Sequence, residues 1–170
     1  MTEIISTPLT RNEKYVLDEY LGTRELRDGL YPLIQDLGET VPRLYRGTMY
    51  LLEDVKIGHI YRHWNRISSW STDEMVATQF ALEQYVPEDY LHEMVRKWKF
   101  PLRNLQNLFV PIVLICENVK GYVVNHHYKE HLYVTENEVI VYDAKLEISS
   151  IMEVSFENIT YFRVFCHSLI

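Results

Sequence analysis

The chain has 170 residues, 47% hydrophobic and 24% charged, a composition typical of one globular domain with its own core. Its formal net charge of -7 disfavours the broad basic surface that gives proteins non-specific affinity for nucleic acids. We expect no signal peptide, because the N-terminus has neither a basic region nor a long apolar region, and no membrane span, because no apolar run approaches membrane length. Cys116 and Cys166 lie in apolar runs, which indicates buried thiols and a reducing, cytoplasmic compartment rather than a zinc site or a disulfide framework.

The first forty residues are predicted to be helical. Thr10 and Glu13 have the spacing of a capping box, which predicts a helix over about residues 11 to 21. A second helix is predicted over about residues 24 to 37, with Pro32 as a bend inside it. This part of the chain shows no catalytic constellation.

Strands and helices alternate in the middle of the chain. Pro42 marks the predicted boundary, after which residues 44 to 47 are expected to form a short strand. A second strand over residues 67 to 72 leads into a helix that the Thr72 side chain would cap. Another amphipathic helix is predicted over about residues 88 to 99.

From residue 108 onward the pattern is typical of strands. Residues 108 to 116 form an almost continuous apolar run, and Val119-Lys120-Gly121 is predicted to be a turn. Further strands are expected at residues 138 to 142, 146 to 154 and 159 to 165. Helices come first and strands later, with helices inserted between, so the fold class is predicted to be α+β.

Three histidines in a polar stretch raise the question of a metal site. They are His126, His127 and His131. A zinc site takes four ligands, and no fourth ligand accompanies them, so we interpret them as solvated loop residues and expect no metal.

Two acidic residues stand immediately before and at the start of an apolar, β-branched run. Glu136 and Glu138 are two residues apart, so they would share one face if both lay in a strand. Carboxylates at the start of a buried strand are costly unless they are hydrogen-bonded or used in chemistry. Taken alone, the pair is better explained as two solvated glutamates on an edge strand.

Three short motifs occur in a fixed order along the chain. They are Tyr45-Arg46-Gly47, Ser69-Trp70-Ser71 and Glu136-Asn137-Glu138. Together they resemble the R-S-E signature of mono-ADP-ribosyltransferases of the cholera-toxin-like, arginine-specific clade. Two further registers are similar to that family: Val76-Ala77 with Phe80-Ala81 after the serines, and Val139-Ile140-Val141 after the acids.

The resemblance covers about residues 41 to 155 and implies a fold and an activity. The implied fold is a split β-sandwich of two antiparallel sheets around an NAD cleft, with N-terminal helices. Residues 1 to 170 would form one ADP-ribosyltransferase domain, with a helical region at 1 to 40 and a catalytic core at 41 to 170. The implied activity is cleavage of NAD and transfer of ADP-ribose to a target protein, on arginine. The compact size is similar to that of phage-encoded members, for which the compartment would be the host cytoplasm.

The resemblance also implies which residues hold NAD. Glu138 would be the catalytic carboxylate and would bind the nicotinamide ribose, and Arg46 would hold the diphosphate. The Gly47 backbone would approach the nicotinamide amide closely. Ser69 would brace Glu138 and the ribose, and Ser71 would support the same strand. Without the resemblance, Arg46 could equally form a surface salt bridge, and the serines could cap the next helix.

The resemblance also implies that two residues in and just before the third motif recognise the acceptor. Glu136 would deprotonate or orient the attacking guanidinium, and a glutamate here is similar to the arginine-modifying subclass. Tyr133 would be the aromatic residue of the substrate-recognition loop, or a tyrosine that anchors that loop to the core.

One position departs from the family pattern. Trp70 replaces the middle threonine of Ser-Thr-Ser, at a place where strand alternation turns the side chain away from the two serines. We therefore expect altered packing rather than loss of the polar face.

Two other functions remain open. One is an NAD glycohydrolase with water as the acceptor, and the other is a non-catalytic module of the same fold that binds a protein. Transfer to nucleic acid is disfavoured by the acidic charge.

Overall fold

The computed structural model describes residues 9–23, 26, 28–63, 66–83, 108–126 and 136–169. Two helices come first, α1 (Arg11–Thr23) and α2 (Leu30–Leu37). The predicted capping box is present: the Thr10 backbone N–H donates to Glu13 Oε1 (2.9 Å), and the Glu13 N–H donates to Thr10 Oγ1 (3.1 Å). The second helix begins later than predicted, and Pro32 lies in its first turn, where a missing N–H costs nothing.

Among the described residues, one further α-helix and seven strands follow. They are β1 (Glu39–Leu51), β2 (Ile60–Arg62), β3 (Ile67–Ser71), α3 (Glu74–Leu82), β4 (Phe109–Val123), β5 (Glu138–Tyr142), β6 (Lys145–Phe156) and β7 (Ile159–Ser168). The last three strands agree with the sequence prediction, with small extensions of β6 and β7. The helix predicted over residues 88 to 99 lies outside the described residues. Within the described residues, no helix is long and apolar enough to cross a membrane.

The strands form a barrel-like sheet. Their order is β1-β3-β5-β4-β7-β6-β2, and β1 also pairs with β4, so β1, β3, β5 and β4 close into a ring. The pairs are antiparallel except β4 with β7, which is parallel. The predicted α+β class is confirmed, whereas the expected sandwich of two antiparallel sheets is not, because the ring joins strands that a sandwich would separate.

The predicted boundary at Pro42 and the predicted turn at residues 119 to 121 are both wrong, for one reason. β1 runs without interruption through Pro42, and Val119-Lys120-Gly121 is part of β4. These two segments pair with each other, from Glu39 opposite Gly121 to Leu51 opposite Phe109. The register passes over Pro42, which has no N–H to contribute to the ladder.

Two apolar clusters attach the helices to this sheet. Residues of α1 and α2, among them Leu17 and Leu33, pack with Ile67, Tyr122 and Ile140 of the ring. The small residues Ala77 and Ala81 of α3 pack on Val113 and Ile115 of β4. The first helical layer therefore lies against β3 and β5, and α3 lies against β4 and against Tyr45 of β1.

Candidate active site

A cleft of about 360 Å³ opens where the three motifs meet. Tyr45 of β1 is paired with Ser71 of β3, and Ser71 is paired with Glu138 of β5. This row across three adjacent strands brings together segments that are far apart in the sequence. The cleft is lined by, among others, Tyr20, Arg46, Gly47, Ser69, Glu136 and Glu138.

Glu138 is a buried carboxylate at the start of β5. It is 3% exposed, and the Ser69 hydroxyl donates a hydrogen bond of 2.9 Å to its Oε2 atom. Ser69 is opposite Ile140 in the register, so this bond joins diagonal neighbours on one face of the sheet. Ser69 is therefore placed to hold the carboxylate in one orientation, and a bond to a charged acceptor contributes about 1.5–3 kcal/mol.

The Arg46 guanidinium lies beside this pair. Its Nη1 donates to the backbone carbonyl oxygen of Ser69 (2.7 Å), and its Nε donates to the Tyr61 hydroxyl (3.1 Å). The Tyr61 ring is buried and meets Trp70 edge-on, with 6.4 Å between ring centroids. Two of the three guanidinium nitrogens thus have fixed partners, which sets the plane of the group at the cleft.

Trp70 faces away from the Ser69 hydroxyl and belongs to the main core. It is 3% exposed, and its indole Nε1 donates to Ser68 Oγ (2.8 Å). Trp70 therefore packs in the core beneath the strand, as alternation predicts.

Ser71 holds the backbone that precedes Glu138. Its hydroxyl donates to the Glu136 carbonyl oxygen (2.6 Å) and accepts from the Asp73 N–H (3.0 Å). Asp73 in turn caps α3, its Oδ1 accepting from the Met75 N–H (2.9 Å), so the predicted cap at Thr72 is one residue early. Ser71 thereby ties the start of α3 to the acidic motif.

Glu136 and Glu138 would share one face if both lay in a strand, but only Glu138 does. β5 begins at Glu138, Glu136 lies in a short helical turn before it, and Asn137 between them has a left-handed backbone (φ 50°). Asparagine tolerates this conformation better than most residues. Both acids nevertheless line the cleft.

Gly47 is required by the packing of α3. A Cβ atom built on it would lie 1.6 Å from the backbone oxygen of Ala77 and 2.8 Å from the Ala81 nitrogen. The expected reason for glycine was space for the nicotinamide; the geometry supplies a different one, the contact between β1 and α3.

Several cleft residues were not predicted from the sequence. Tyr20 comes from α1, and its hydroxyl lies 2.7 Å from Ser69 Oγ. His63, Phe80 and Glu83 also line the cleft. No local pattern signals them, since Tyr20 falls in the apolar stripe of an ordinary amphipathic helix.

Two further predictions concern the recognition tyrosine and the histidines. Tyr133 lies outside the described residues, as do His127 and His131. In the part of the chain that is described, no group of three or more His, Cys, Asp or Glu is placed to hold a metal ion.

The fold was compared with known proteins. No protein-family model and no curated protein sequence matches the chain. Solved structures do match. The ADP-ribosyltransferase Vis in complex with the M6 inhibitor aligns with a TM-score of 0.64 at 16% identity, over 95% of this chain and 74% of that one.

Three further alignments agree in fold. The Vis toxin from Vibrio splendidus gives a TM-score of 0.59, and Vis in complex with agmatine gives 0.58, both at 16% identity, over 95% of this chain and 74% and 75% of those chains. The C3larvin toxin, an ADP-ribosyltransferase from Paenibacillus larvae, gives 0.50 at 13% identity, over 95% of this chain and 89% of that one. The ADP-ribosyltransferase fold expected from the sequence is therefore confirmed.

Proposed function

We propose that this protein is a mono-ADP-ribosyltransferase that cleaves NAD and transfers ADP-ribose to an arginine of a target protein. The observation that carries the proposal is the buried Glu138 carboxylate, held by the Ser69 hydroxyl at 2.9 Å and facing a cleft of about 360 Å³. The fold shared with ADP-ribosyltransferases supports it. Membership of the R-S-E clade, on the motifs, and a phage origin, on the compact size, are part of the same proposal.

The proposed chemistry needs a fixed negative charge. The bond between the ribose C1′ and the nicotinamide nitrogen breaks, and nicotinamide leaves as a neutral molecule with the electron pair. Positive charge develops on the ribose, as in glycoside hydrolysis, and Glu138 stabilises it. Ser69 keeps the carboxylate in place, so little reorganisation is needed during the reaction.

Arg46 is proposed to bind the diphosphate of NAD. A guanidinium suits phosphate oxygens because its N–H groups are arranged in a planar fork. Its bonds to Ser69 and Tyr61 hold that fork at the cleft before NAD arrives. Gly47 contributes backbone beside it, where α3 leaves no room for a side chain.

Glu136 is proposed to receive the acceptor. A protonated guanidinium is a poor nucleophile, so a base beside it favours attack on C1′ and takes the proton that the guanidinium loses. Glu136 lines the same cleft as Glu138. One structural neighbour was solved with agmatine, a decarboxylated arginine that carries a guanidinium group. Tyr133 is proposed to contact the target protein.

The test is incubation of the protein with labelled NAD and whole-cell lysate, followed by mass spectrometry of the modified residue. We expect ADP-ribose on arginine, and release of nicotinamide with agmatine as a small acceptor. Glu138→Gln removes the charge while retaining the size, so it should lower nicotinamide release by at least about 100-fold. Glu153→Gln changes an exposed glutamate of β6 and is the control.

Two outcomes would replace the proposal. Nicotinamide release with no labelled acceptor would assign an NAD glycohydrolase. A flat calorimetric titration with NAD would instead favour a protein-binding module of the same fold. Full activity of Glu138→Gln would contradict the assignment of the catalytic carboxylate.

A further inference from the structure

A chain of hydrogen bonds runs from the N-terminal helix to the proposed catalytic carboxylate. The Tyr20 hydroxyl of α1 lies 2.7 Å from Ser69 Oγ, and Ser69 Oγ lies 2.9 Å from Glu138 Oε2. The first contact joins residues 49 positions apart in the sequence. It connects a helix that resembles no part of the R-S-E signature to the residues that do.

The protons in this chain can have only one order when Glu138 is ionised. An ionised carboxylate only accepts, so Ser69 must donate its single proton to Glu138. The Ser69 oxygen then has only lone pairs to offer, and the Tyr20 hydroxyl must be the donor in their contact. Tyr20 thus prevents Ser69 from rotating its proton away from the carboxylate.

The Tyr20 ring is fixed independently of the cleft. Tyr20 is 4% exposed. Its aromatic ring packs against Leu17, Ile67 and Ile140, in the cluster that joins α1 and α2 to the strands. Its hydroxyl end lines the cleft. A tyrosine with a buried ring and a hydroxyl at a polar site provides a donor whose position is set by the core.

We propose that Tyr20 is a positioning residue for the ADP-ribosyltransferase reaction, acting through Ser69 to orient Glu138. The inference rests on the proposed function. It makes α1 part of the active site rather than a structural addition to it.

The experiment compares Tyr20→Phe with Tyr15→Phe, using purified full-length protein. Tyr20→Phe removes only the hydroxyl and retains the ring in the core, whereas Tyr15 is 51% exposed on the same helix and does not line the cleft. We expect Tyr20→Phe to lower kcat for nicotinamide release about tenfold, with KM for NAD changed less than twofold, because the lost bond orients the carboxylate. Tyr15→Phe should match the wild type, and thermal melting should show both variants folded.

A double-mutant cycle separates positioning from a general structural effect. In a Ser69→Ala background the link to Glu138 is already lost, so adding Tyr20→Phe should change kcat less than twofold. A further tenfold loss in that background would overturn the inference, as would wild-type kcat in Tyr20→Phe alone. A rise in KM with unchanged kcat would also overturn it, since it would indicate a role in NAD binding only.

The two proposals fail in different ways. Wild-type protein that neither binds NAD nor releases nicotinamide overturns the proposed function and the positioning role together. An active wild type with an equally active Tyr20→Phe variant overturns the positioning role and leaves the proposed function intact.

A readout that does not need activity accompanies the kinetics. Tyrosine labelled with ¹³C at Cζ gives a resonance for each tyrosine, and its loss in Tyr20→Phe identifies the Tyr20 signal. Ser69→Ala should shift that signal and leave the Tyr15 signal in place, because it removes the acceptor of the Tyr20 hydroxyl. An unchanged Tyr20 signal would overturn the proposed donor order.

Discussion

Glu136 and Glu138 are two residues apart, yet the chain holds them by different means. Glu138 is 3% exposed and is held through its side chain, by the Ser69 hydroxyl. Glu136 is held by a backbone contact, the bond from the Ser71 hydroxyl to its carbonyl oxygen at 2.6 Å. The Ser71 contact uses the Glu136 backbone, so it is retained when the Glu136 side chain is changed, which makes the roles of the two acids separable by mutation.

This separation yields a prediction for Glu136. Glu136→Gln should lower transfer to a guanidinium acceptor by about 100-fold or more, because the acceptor loses the base that takes its proton. NAD hydrolysis should persist within a few-fold of the wild type, since Ser71 still holds the backbone and Ser69 still holds Glu138. Both activities can be measured on one sample, as modified acceptor and as total nicotinamide released. Equal loss of both would contradict an acceptor-specific role.

Trp70 shows which properties of a residue can be predicted from the sequence and which cannot. Alternation along a strand predicted that the Trp70 side chain points away from the two serines, and it packs in the main core. Its contact with the Tyr61 ring could not be predicted, because Tyr61 is on a different strand. The Tyr61 hydroxyl accepts a hydrogen bond from Arg46. Trp70 in the core therefore supports the position of Arg46 at the cleft through the Tyr61 ring.

Secondary-structure elements were predicted most accurately where a pattern of neighbouring residues was sufficient to identify them. The sequence patterns for the capping box at Thr10 and for the strand at Glu138–Tyr142 each span only a few positions, and both elements were predicted. The pairing of β1 with β4 depends on residues about seventy positions apart, as in the contact of Leu44 with Cys116. A proline and a glycine that read locally as breaks are therefore accommodated inside long strands.

Tyr20 could not be identified for the same reason. Helical periodicity predicts that its ring faces the core, which is correct. Its hydroxyl becomes part of the cleft only because α1 packs across the strand that carries Ser69.

The contact between β1 and α3 gives a prediction at this scale. Gly47→Ala places a Cβ within 1.6 Å of the Ala77 carbonyl oxygen, and a backbone atom in a packed helix cannot move aside cheaply. We expect a loss of stability of about 2–4 kcal/mol, displacement of α3 and loss of NAD binding. Urea unfolding and NAD calorimetry would measure these effects.

Gly22→Ala is the matched control for Gly47→Ala. Gly22 lies in the last turn of α1, and a Cβ there meets nothing within 4 Å. Alanine is the better helix former, so stability should stay equal or rise by up to about 1 kcal/mol. A similar loss in both glycine variants would show that the β1–α3 contact is not the cause.

For the molecule as a whole, the junction of β4 with β7 is the point where the ring of strands continues into the rest of the sheet. Cys116 and Cys166 are register partners in this parallel pair, and both are buried. Burial raises the pKa of the Cys116 thiol to about 11 and that of the Cys166 thiol to about 12, because a thiolate is poorly solvated there. The ordinary pKa of an exposed thiol is about 8.5, which is the value expected in the unfolded chain.

These raised pKa values make stability depend on alkaline pH. Below about pH 8.5 both thiols are protonated in either state and cost nothing. Above it the unfolded chain loses protons that the folded protein retains, so the free energy of unfolding falls with rising pH until the folded thiols ionise near pH 11 to 12. Each thiol contributes a fall of up to about 1.4 kcal/mol per pH unit.

Urea unfolding at pH 8 and pH 10 tests this dependence. Cys166→Ala should show a fall in stability between the two pH values that is roughly 1–2 kcal/mol smaller than in the wild type, because one buried thiol no longer titrates. The comparison uses the difference between two pH values, so the cavity left by the substitution and the titration of other groups cancel. Cys116→Ala should behave alike, and the two effects should add unless the thiols interact across the β4–β7 pair. The same fall in the wild type and both variants would show that these thiols are not shielded from solvent, and that the β4–β7 junction opens below the global unfolding transition.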